Sequence, residues 1–388
     1  MDIIIKPGIL QGEIPIIPSK SIAHRALICA AFSDKPTKIF CPETGADIDA
    51  TADCLAALGA EILRTDSGFN VFPISFPPKR ATLSCRESGS TLRFLLPIVG
   101  ALGIDTTFVM EGRLPQRPLS PLWEEMERMG CSLSRPTFNT IRCAGKLQRG
   151  AYTIAGSVSS QFITGLLFAQ ALVGECSLQI MDPPQSQPYI DMTLDVLRRF
   201  HAPALQSPGY FTVEGDWSSA AFWLTANALG SDIQVLGLTQ DSLQGDRAVS
   251  KFLHQLEQAC PTISAKDTPD LIPVLAVAAA AKHGVVFTDI QRLRLKESDR
   301  VASTIAMIEA LGGMAEATEN TLTIQATGLI GGVVDACADH RIAMAAAVAS
   351  TVCTDPVTIL SADCVKKSYP GFWDDFTRLG GKYELYLR

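Results

Sequence analysis

Two kinds of apolar segment alternate along the chain, and both have the spacing of helices. The first kind opens on small polar or charged residues and continues as a run rich in Ala and Leu that is apolar on nearly every face. A helix of that kind is buried on all sides, so the pattern predicts buried helices. The copies of this segment open at Ser19, Glu87, Ser159, Asp216, Asp270 and Asp339.

The second kind of segment is amphipathic, with apolar residues at positions i, i+4 and i+7. Ile48, Ala52 and Leu55 form one example of this pattern. The spacing puts the apolar residues on one face of a helix. Four of the six amphipathic segments end in Leu-Gly or Met-Gly, and a glycine directly after the last apolar residue is a common helix stop.

The alternation amounts to an internal repeat. The buried segments recur about every 64 residues between Lys20 and His340, and short β-rich runs lie between the helices. A chain of 388 residues is too long for one compact core. The repeat therefore predicts an α/β fold of six units, three in each of two domains.

Composition narrows the classes of function. The chain carries 33 Lys and Arg against 40 Asp and Glu, a formal net charge of −7, which disfavours nucleic acid as a partner. Its start lacks a targeting pattern, and its uncharged apolar runs are shorter than the ~20 residues that span a bilayer. The 11 Cys include no Cys-x-x-Cys pair and the five His are dispersed, so neither a metal site nor a disulfide framework is predicted. We expect a cytoplasmic protein with reduced thiols and no membrane partner.

Cations at the openings of the buried helices indicate a ligand. Lys20 and Arg25, Arg93, and Arg341 beside His340 lie in the first two turns or at the cap. The amino terminus of a helix is already positive, so cations there are unfavourable unless an anion is bound. Further basic groups precede amphipathic segments at Arg113 to Arg117, Arg292 to Arg300 and Lys366 to Lys367. Since the sequence has no phosphate-binding loop, dinucleotide motif or nucleophile elbow, it predicts a site for small polyanions.

Six motifs resemble those of the 5-enolpyruvylshikimate-3-phosphate (EPSP) synthase family and follow the family's order. They are Pro-Ser-Lys-Ser-Ile-Ala-His-Arg-Ala-Leu from Pro18, Gly-Ser-Val-Ser-Ser-Gln from Gly156, Ser-Gln-Pro-Tyr-Ile-Asp from Ser186, Val-Glu-Gly-Asp from Val213, Leu-Lys-Glu-Ser-Asp-Arg from Leu295 and Asp-His-Arg-Ile-Ala-Met from Asp339. The resemblance implies a two-domain inside-out α/β barrel, each domain having three βαβαββ units with buried parallel helices. It implies a discontinuous domain of residues 1–14 and 217–388, an inserted domain of residues 15–216, and an active site in the cleft between them.

The resemblance also implies two small-molecule substrates, shikimate-3-phosphate and phosphoenolpyruvate, with no cofactor and no metal. The residues implied for shikimate-3-phosphate are Lys20, Ser21, Arg25, Ser159, Ser160, Gln161, Ser186, Tyr189, Asp270, Arg292 and Lys296. Those implied for phosphoenolpyruvate are Lys20, Gly89, Arg117, Gln161, Arg300, His340, Arg341 and Lys367. Arginine forks suit carboxylate and phosphate groups, and a glycine lets backbone approach an anion closely.

The implied reaction is an addition followed by an elimination. The 5-hydroxyl of shikimate-3-phosphate attacks phosphoenolpyruvate while a proton is delivered to the methylene carbon, and phosphate then leaves the tetrahedral adduct. Two proton-transfer groups are needed. We expect Asp270 near the hydroxyl and Glu297 near the methylene, with Lys20 assisting, and we expect a monomer.

One loop departs from the family's usual sequence. Glu-Ser-Gly-Ser-Thr-Leu-Arg-Phe from Glu87 stands where many members have Asn-Ala-Gly-Thr-Ala-Met-Arg-Pro. Glu87 puts a carboxylate beside an anion site, which is unfavourable unless it pairs with Arg93 or another cation. Ser88, Thr91 and Phe94 are expected to change the shape of the loop.

Three alternatives stay open at this point. A UDP-N-acetylglucosamine enolpyruvyl transferase typically has a reactive Cys five residues before the arginine matched by Arg117, and that position here is Gly112. RNA 3′-phosphate cyclisation on a related fold is disfavoured by the acidic charge balance. A non-catalytic relative that only binds ligand is disfavoured because Lys20, Asp270, Glu297, Arg300 and Arg341 are all present.

Overall fold

A computed structural model describes residues 1–386 and divides the chain into two compact units. Met1–Ile17 join the chain from Gly215 onward in one unit, here called the terminal unit, and Pro18–Glu214 form the other, here called the central unit. The sequence placed these boundaries at 14/15 and 216/217. The first boundary lies later because Ile16 and Ile17 pack in the core of the terminal unit, where the amide of Ile16 donates to the carbonyl of Leu236 at 2.9 Å.

Each unit has six α-helices within the described residues. Those of the central unit are α1 (Lys20–Ala31), α2 (Ala46–Ala57), α3 (Gly89–Leu102), α4 (Leu122–Arg128), α5 (Ser160–Val173) and α6 (Gln187–Arg199). Those of the terminal unit are α7 (Trp217–Ala228), α8 (Val249–Gln258), α9 (Ile272–Ala281), α10 (Arg300–Ala310), α11 (His340–Ala349) and α12 (Phe372–Arg378). Short 3₁₀ helices span Leu114–Gln116, Gly245–Ala248, Gln291–Leu295 and Ala362–Lys367. The predicted alternation is confirmed, since α1, α3, α9 and α11 are buried almost throughout whereas α6 and α8 bury one face.

The strands are short and fall between the helices. They are β1 (Ile3–Lys6), β2 (Gln11–Pro15), β3 (Thr37–Phe40), β4 (Glu61–Thr65), β5 (Gly68–Phe72), β6 (Arg80–Arg86), β7 (Asp105–Met110), β8 (Cys131–Thr137), β9 (Thr140–Gly145), β10 (Ala151–Ile154), β11 (Ser177–Ile180), β12 (Tyr210–Thr212), β13 (Asp232–Leu236), β14 (Thr262–Ser264), β15 (Val285–Thr288), β16 (Ala315–Ala317), β17 (Thr321–Ile324), β18 (Gly332–Asp335), β19 (Val357–Leu360) and β20 (Lys382–Leu385).

One sheet topology recurs. Within residues 1–386, four sheets have four strands each, in the orders β12-β3-β5-β4, β6-β7-β9-β8, β14-β15-β17-β16 and β18-β19-β1-β20. In each of them the first two strands are parallel and the other pairs are antiparallel. A parallel pair needs a crossover connection, and the buried helices α3 and α9 supply it between β6 and β7 and between β14 and β15.

The amino-terminal strand explains why the terminal unit is discontinuous. In the sheet β18-β19-β1-β20, Ile3 of β1 is paired with Ile359 on one side and Leu385 on the other. Strand β1 thus takes the place that β9 and β17 hold in their own sheets. The first residues of the chain complete the last repeat, so they belong with the carboxyl-terminal half.

One repeat in each unit is reduced, which corrects the prediction of three full βαβαββ units per domain. The sheets β10-β11 and β13-β2 are parallel pairs with no further strand among the described residues. The strands that follow them along the chain, β12 and β14, pair with β3 and β15 instead. Within residues 1–386, each of these two sheets therefore lacks the hairpin that would complete it.

The buried helices pack on one another within each unit. In the terminal unit α7, α9 and α11 pack on one another. In the central unit α3 packs closely on α5, where Gly165 lies against the carbonyl oxygen of Arg93 with no room for a side chain. No helix within residues 1–386 is long and apolar enough to cross a bilayer.

Candidate active site

Arg300 is the centre of an ion network in the terminal unit. Its side chain is fully buried, and its three nitrogens donate to three carboxylates: Asp270 at 2.7 Å, Glu297 at 2.8 Å and Asp339 at 3.0 Å. Burial lowers the pKa of Arg300, but attraction to the three carboxylates outweighs it and raises the pKa above its ordinary value. Residues from the turn before α9 and the starts of α10 and α11 are thereby tied to one guanidinium.

Asp270 is held in its charged form. Its carboxylate lies 3.4 Å from the Nζ atom of Lys296 and 3.5 Å from the Nη2 atom of Arg341, besides its bond to Arg300. Burial alone raises the pKa of Asp270, but attraction to Lys296, Arg341 and Arg300 outweighs it and holds the pKa well below the usual range. At neutral pH the carboxylate is therefore ionised.

Arg341 lies in the first turn of α11 and is directed by its neighbours. Its Nη1 atom donates to the carbonyl oxygen of Ser218 on α7 at 3.0 Å, and its guanidinium lies 5.9 Å from the ring centroid of Phe222. Asp339 caps the same helix, since its Oδ1 atom accepts from the amide of Arg341 at 3.0 Å. These contacts fix a cation at a helix amino terminus, the arrangement that favours a bound anion.

The remaining residues predicted for this unit lie on its short helices. His340 is buried in the first turn of α11. Lys367 ends the 3₁₀ helix Ala362–Lys367 and is partly exposed. Arg292 lies in the 3₁₀ helix Gln291–Leu295. Burial is the main cause that lowers the pKa of Lys296, and the charge of Arg292 lowers it further.

Lys20, which is predicted to contact both substrates, forms an ion pair in the central unit. Its Nζ atom lies 3.0 Å from Asp47 on α2, and both side chains are mostly buried. Asp47 had not been predicted as a site residue. Asp47 and Thr51 border the apolar face of α2 at i and i+4, and that polar pair could have been recognised in the sequence.

Gly89 begins α3 at a point where two arginines meet the backbone. A Cβ atom at this position would lie 2.7 Å from Nη1 of Arg93 and 2.8 Å from Nη1 of Arg117. Arg93 in turn donates to Oε1 of Gln161 at 2.9 Å, and Gln161 donates to Ser90 at 3.0 Å. Gly89, Arg117 and Gln161, all predicted for phosphoenolpyruvate, therefore lie together, with Arg93 between them.

The departures in the loop before α3 have a structural reason. Thr91 donates to Ser88 at 2.7 Å and shares a hydrogen bond of the same length with Thr51, and Thr51 is 2.7 Å from Nδ1 of His24. We call His24, Thr51, Thr91 and Ser88 the hydroxyl chain. Burial lowers the pKa of His24 to about 3, so the chain is uncharged at neutral pH.

Glu87 lies against Gly112. A side chain at Gly112 would collide with the carboxylate of Glu87, and Gly112 has a φ of +54°, which L side chains rarely adopt. The reactive Cys of a UDP-N-acetylglucosamine enolpyruvyl transferase has no room at this position.

Arg25 is more deeply buried than its predicted contact with substrate suggests. It is 2% exposed and donates to Thr193 at 2.9 Å, to the carbonyl oxygen of Ser21 at 2.5 Å and to that of Tyr189 at 2.9 Å. Burial lowers its pKa to about 10, so it is charged at neutral pH. Its donors order two other predicted ligands, Ser21 and Tyr189.

Three predicted serines lie at helix amino termini of the central unit. Ser159 caps α5 by accepting from the amide of Gln161 at 3.3 Å, and Ser160 is the first residue of that helix. Ser186 precedes α6 with a φ of +58° and is almost fully buried. Hydroxyls and backbone amides at two helix starts suit a phosphate group.

No group of three or more His, Cys, Asp or Glu side chains within residues 1–386 is arranged to hold a metal ion. Asp270, Glu297 and Asp339 are close to one another, but Arg300 occupies the space among them.

The fold and the cations at these helix starts match the enolpyruvyl-transferase class expected from the sequence. The sequence profile described as EPSP synthase (3-phosphoshikimate 1-carboxyvinyltransferase) matches residues 4–376. A 3-phosphoshikimate 1-carboxyvinyltransferase of Clostridium kluyveri is 37% identical over 98% of this chain and 97% of its own length. Its counterpart in Clostridium perfringens is 38% identical over 98% of each chain.

The chain belongs to the EPSP synthase family. Its fold is also that of the EPSP synthase from Acinetobacter baumannii, which superposes with a TM-score of 0.80 over all of both chains at 22% identity. The family and the enzyme class expected from the sequence are thereby confirmed.

Proposed function

We propose that this chain transfers the enolpyruvyl group of phosphoenolpyruvate to the 5-hydroxyl of shikimate-3-phosphate and releases phosphate. Family membership and the full-length similarity to 3-phosphoshikimate 1-carboxyvinyltransferases support this activity. The observation within the chain that carries the proposal is the pair Asp270 and Glu297, whose carboxylates lie 2.7 and 2.8 Å from the guanidinium of Arg300. Two carboxylates beside a cation supply the two proton-transfer groups and the anion site that the reaction needs.

In the addition step, Asp270 takes the proton of the 5-hydroxyl as its oxygen bonds to the central carbon of phosphoenolpyruvate. Glu297 delivers a proton to the methylene carbon, which becomes a methyl group, and Lys20 assists. Glu297 must therefore be protonated when the addition begins, and the negative charge of bound phosphoenolpyruvate favours that form.

In the elimination step, the bond between the central carbon and the phosphate oxygen breaks. The methyl group returns one proton to Glu297, and the departing phosphate takes the proton held by Asp270. Both carboxyls then have their starting protonation states, so the cycle is closed without a cofactor.

Shikimate-3-phosphate binds through its 3-phosphate to the starts of α5 and α6. Ser159, Ser160 and Ser186 hold the phosphate, and the buried Arg25 keeps Ser21 and Tyr189 in place for the ring. The terminal-unit residues proposed for the same substrate are Asp270, Arg292 and Lys296.

Phosphoenolpyruvate is held by backbone and cations. In the central unit we assign Lys20, Gly89, Arg117 and Gln161 to it. In the terminal unit we assign Arg300, His340, Arg341 and Lys367. The cluster of Gly89, Arg93, Arg117 and Gln161 supports the first set, and the buried cations at the starts of α10 and α11 support the second.

The proposal is tested by phosphate release from phosphoenolpyruvate with shikimate-3-phosphate, without it, and with UDP-N-acetylglucosamine in its place. We expect release only with shikimate-3-phosphate. Release that needs no acceptor, release supported by the UDP-sugar, or no release at all contradicts the proposal.

Four further expectations stay predictions. They are the inside-out barrel arrangement of each unit, the position of the active site in a cleft between the units, a cytoplasmic location and a monomeric state without nucleic-acid or membrane partners. The repeated sheets around buried helices support the first of them.

A further inference from the structure

Asp246 is a buried acid that neither the sequence motifs nor the proposed reaction uses. It lies in the 3₁₀ helix Gly245–Ala248 and is 2% exposed. Aspartate is rarely buried to this degree without a partner charge. Its position beside α7 therefore calls for a physical explanation.

The segment that carries Asp246 fixes the first turn of α7. Oδ2 of Asp246 accepts a short hydrogen bond from the hydroxyl of Ser218. Two residues earlier, the side chain of Gln244 accepts from the amide of Trp217 at 3.1 Å and donates to the carbonyl of Gly215 at 2.8 Å. The first turn of α7 is thereby held by two side chains of this segment.

The same turn holds Arg341. The carbonyl oxygen of Ser218 accepts from Nη1 of Arg341 at 3.0 Å, and Nη2 of Arg341 lies 3.5 Å from Asp270. Asp246 thus reaches Arg341 through Ser218, and Arg341 in turn reaches Asp270.

The other oxygen of Asp246 lacks a hydrogen-bond partner. Among residues 1–386, no donor lies within hydrogen-bonding distance of its Oδ1 atom, which is buried. A buried carboxylate with an unsatisfied oxygen is costly, and protonation removes that cost.

Three charged groups face Asp246, of which the two acids favour its neutral form and the arginine favours its charged form. They are Asp216 at the cap of α7, Asp270 before α9 and Arg341 on α11, whereas the adjacent Arg247 donates to the carbonyl of Gln240. Burial, aided by repulsion from Asp270, raises the pKa of Asp246 to about 7, against the opposing effects of Ser218 and Arg341.

We propose that Asp246 is a positioning residue that stays protonated while the enzyme binds phosphoenolpyruvate, and that its ionisation weakens the hold of Arg341 on that anion. The inference rests on the proposed function, since it assigns Arg341 to phosphoenolpyruvate. When Asp246 is neutral, the positive charge of Arg341 interacts with Asp270 and the substrate. The ionised acid adds a carboxylate charge beside Arg341 and repels the incoming anion.

The test compares wild type with Asp246→Asn, which is neutral at every pH and keeps an acceptor for Ser218. With saturating shikimate-3-phosphate, the wild-type KM for phosphoenolpyruvate should rise about threefold to tenfold between pH 6 and 8.5 through the ionisation of one nearby charge. In the variant this rise should be absent, and at pH 6 its KM should match wild type. The matched control is Asp241→Asn, at an exposed Asp in the preceding loop, which should retain the wild-type pH profile.

A second variant keeps the proposal testable should Asp246→Asn fail to fold. Ser218→Ala removes the hydrogen bond that lowers the pKa of Asp246, so the rise in KM should move to higher pH. A wild-type KM that is flat with pH, or an Asp246→Asn profile equal to that of wild type, overturns the proposal.

A measurement without substrates separates this proposal from the proposed function. Infrared difference spectra of the substrate-free enzyme should show a protonated carboxyl that titrates near pH 7 and is missing in Asp246→Asn. Absence of that signal overturns the inference on Asp246 alone, whereas absence of phosphate release that depends on shikimate-3-phosphate overturns the proposed function.

Discussion

The candidate site residues of the two units differ in the kind of polar group on which they depend. In the terminal unit, the fully buried Arg300 binds three carboxylates that are themselves mostly or fully buried. In the central unit, the hydroxyl chain from His24 to Ser88 supports the start of α3 without a net charge. Carboxyl groups change protonation state near neutral pH and hydroxyls do not, so we infer that the carboxylates of the terminal unit carry the proton transfer, with Lys20 assisting, and that the hydroxyl chain of the central unit fixes the shape in which substrates are held.

The largest effect is expected at Arg300. Arg300→Met leaves Asp270, Glu297 and Asp339 without their shared cation, and breaking a buried ion network in this way costs about 3–5 kcal/mol of stability. The rate of phosphate release should fall by more than ~10³-fold, because the anion site and the carboxylate pair are both lost.

Arg300→Lys sharpens this prediction, because it keeps the charge but cannot reach three carboxylates with one planar fork. It should be nearly as inactive as Arg300→Met while unfolding at a higher temperature. The control is Arg294→Lys on the preceding 3₁₀ helix, a partly exposed position that should keep normal turnover. An active Arg300→Lys enzyme shows that charge alone suffices and removes the special role of the network.

A smaller effect is expected at Gly89, where the central unit relies on shape. Gly89→Ala places a methyl group 2.7 and 2.8 Å from the ends of Arg93 and Arg117, so both guanidiniums must shift. The KM for phosphoenolpyruvate should rise by about tenfold, with a smaller change in kcat, because binding and not proton transfer is disturbed.

The control for that change is Gly8→Ala, where a Cβ atom meets nothing within 4 Å. It should leave both constants unchanged. A Gly89→Ala enzyme that loses kcat while keeping KM shows that this loop also serves the chemical step.

Thr91→Val should have a modest effect on catalysis. It removes the central hydroxyl of the chain and leaves Thr51 and Ser88 with fewer partners, at a cost of about 1–3 kcal/mol in the free energy of unfolding. The kcat at saturating substrates should stay within about threefold of wild type, since no proton-transfer group is changed. Thr107→Val, at a partly exposed threonine of β7, is the matched control for stability. A large loss of kcat in Thr91→Val contradicts the inference that the hydroxyl chain fixes shape and takes no part in proton transfer.

The smallest effect concerns stability and pH at Asp246. Its pKa is raised to about 7 in the folded protein and is ~3.9 in an unfolded chain. The folded state therefore binds more protons between these values, and wild-type stability falls as the pH rises from about 4 to 7. Asp246→Asn lacks this loss of stability. The melting temperature of the variant minus that of wild type, measured by calorimetry, should therefore increase by about 4 °C between pH 4 and 7. A difference in melting temperature that does not change with pH shows that Asp246 ionises normally.

Much of the fold follows from the repeat in the sequence. The alternation of buried and amphipathic helices was visible because their apolar patterns differ. The reduced repeats at β10-β11 and β13-β2 were not, because a short strand such as Tyr210–Thr212 looks the same in sequence whether it pairs within its own repeat or with β3 of another repeat. Strand pairing depends on contacts far apart in sequence, which periodicity does not report.

Some of the site residues could likewise be predicted from the sequence, and others could not. Lys20, Gly89, Glu297, Arg300 and Arg341 stand in motifs or at helix openings, where a charge or a glycine is unusual enough to be noticed. Asp246 and Asp47 were missed because an acid near the start of a helix is ordinary, and only burial makes it exceptional. The burial of Arg25 was missed for the converse reason, since its partners Thr193 and Tyr189 are more than 160 residues away in sequence.

The most direct test of these roles is the turnover of Glu297→Gln, with Glu309→Gln at an exposed position of α10 as the matched control. A glutamine keeps the shape of Glu297 but cannot give up a proton to the methylene carbon. We expect kcat for phosphate release to fall by ~10²–10⁴-fold, with the KM for phosphoenolpyruvate nearly unchanged and the control equal to wild type. A Glu297→Gln enzyme with kcat within about threefold of wild type contradicts the assignment of proton transfer to the terminal unit's carboxylates.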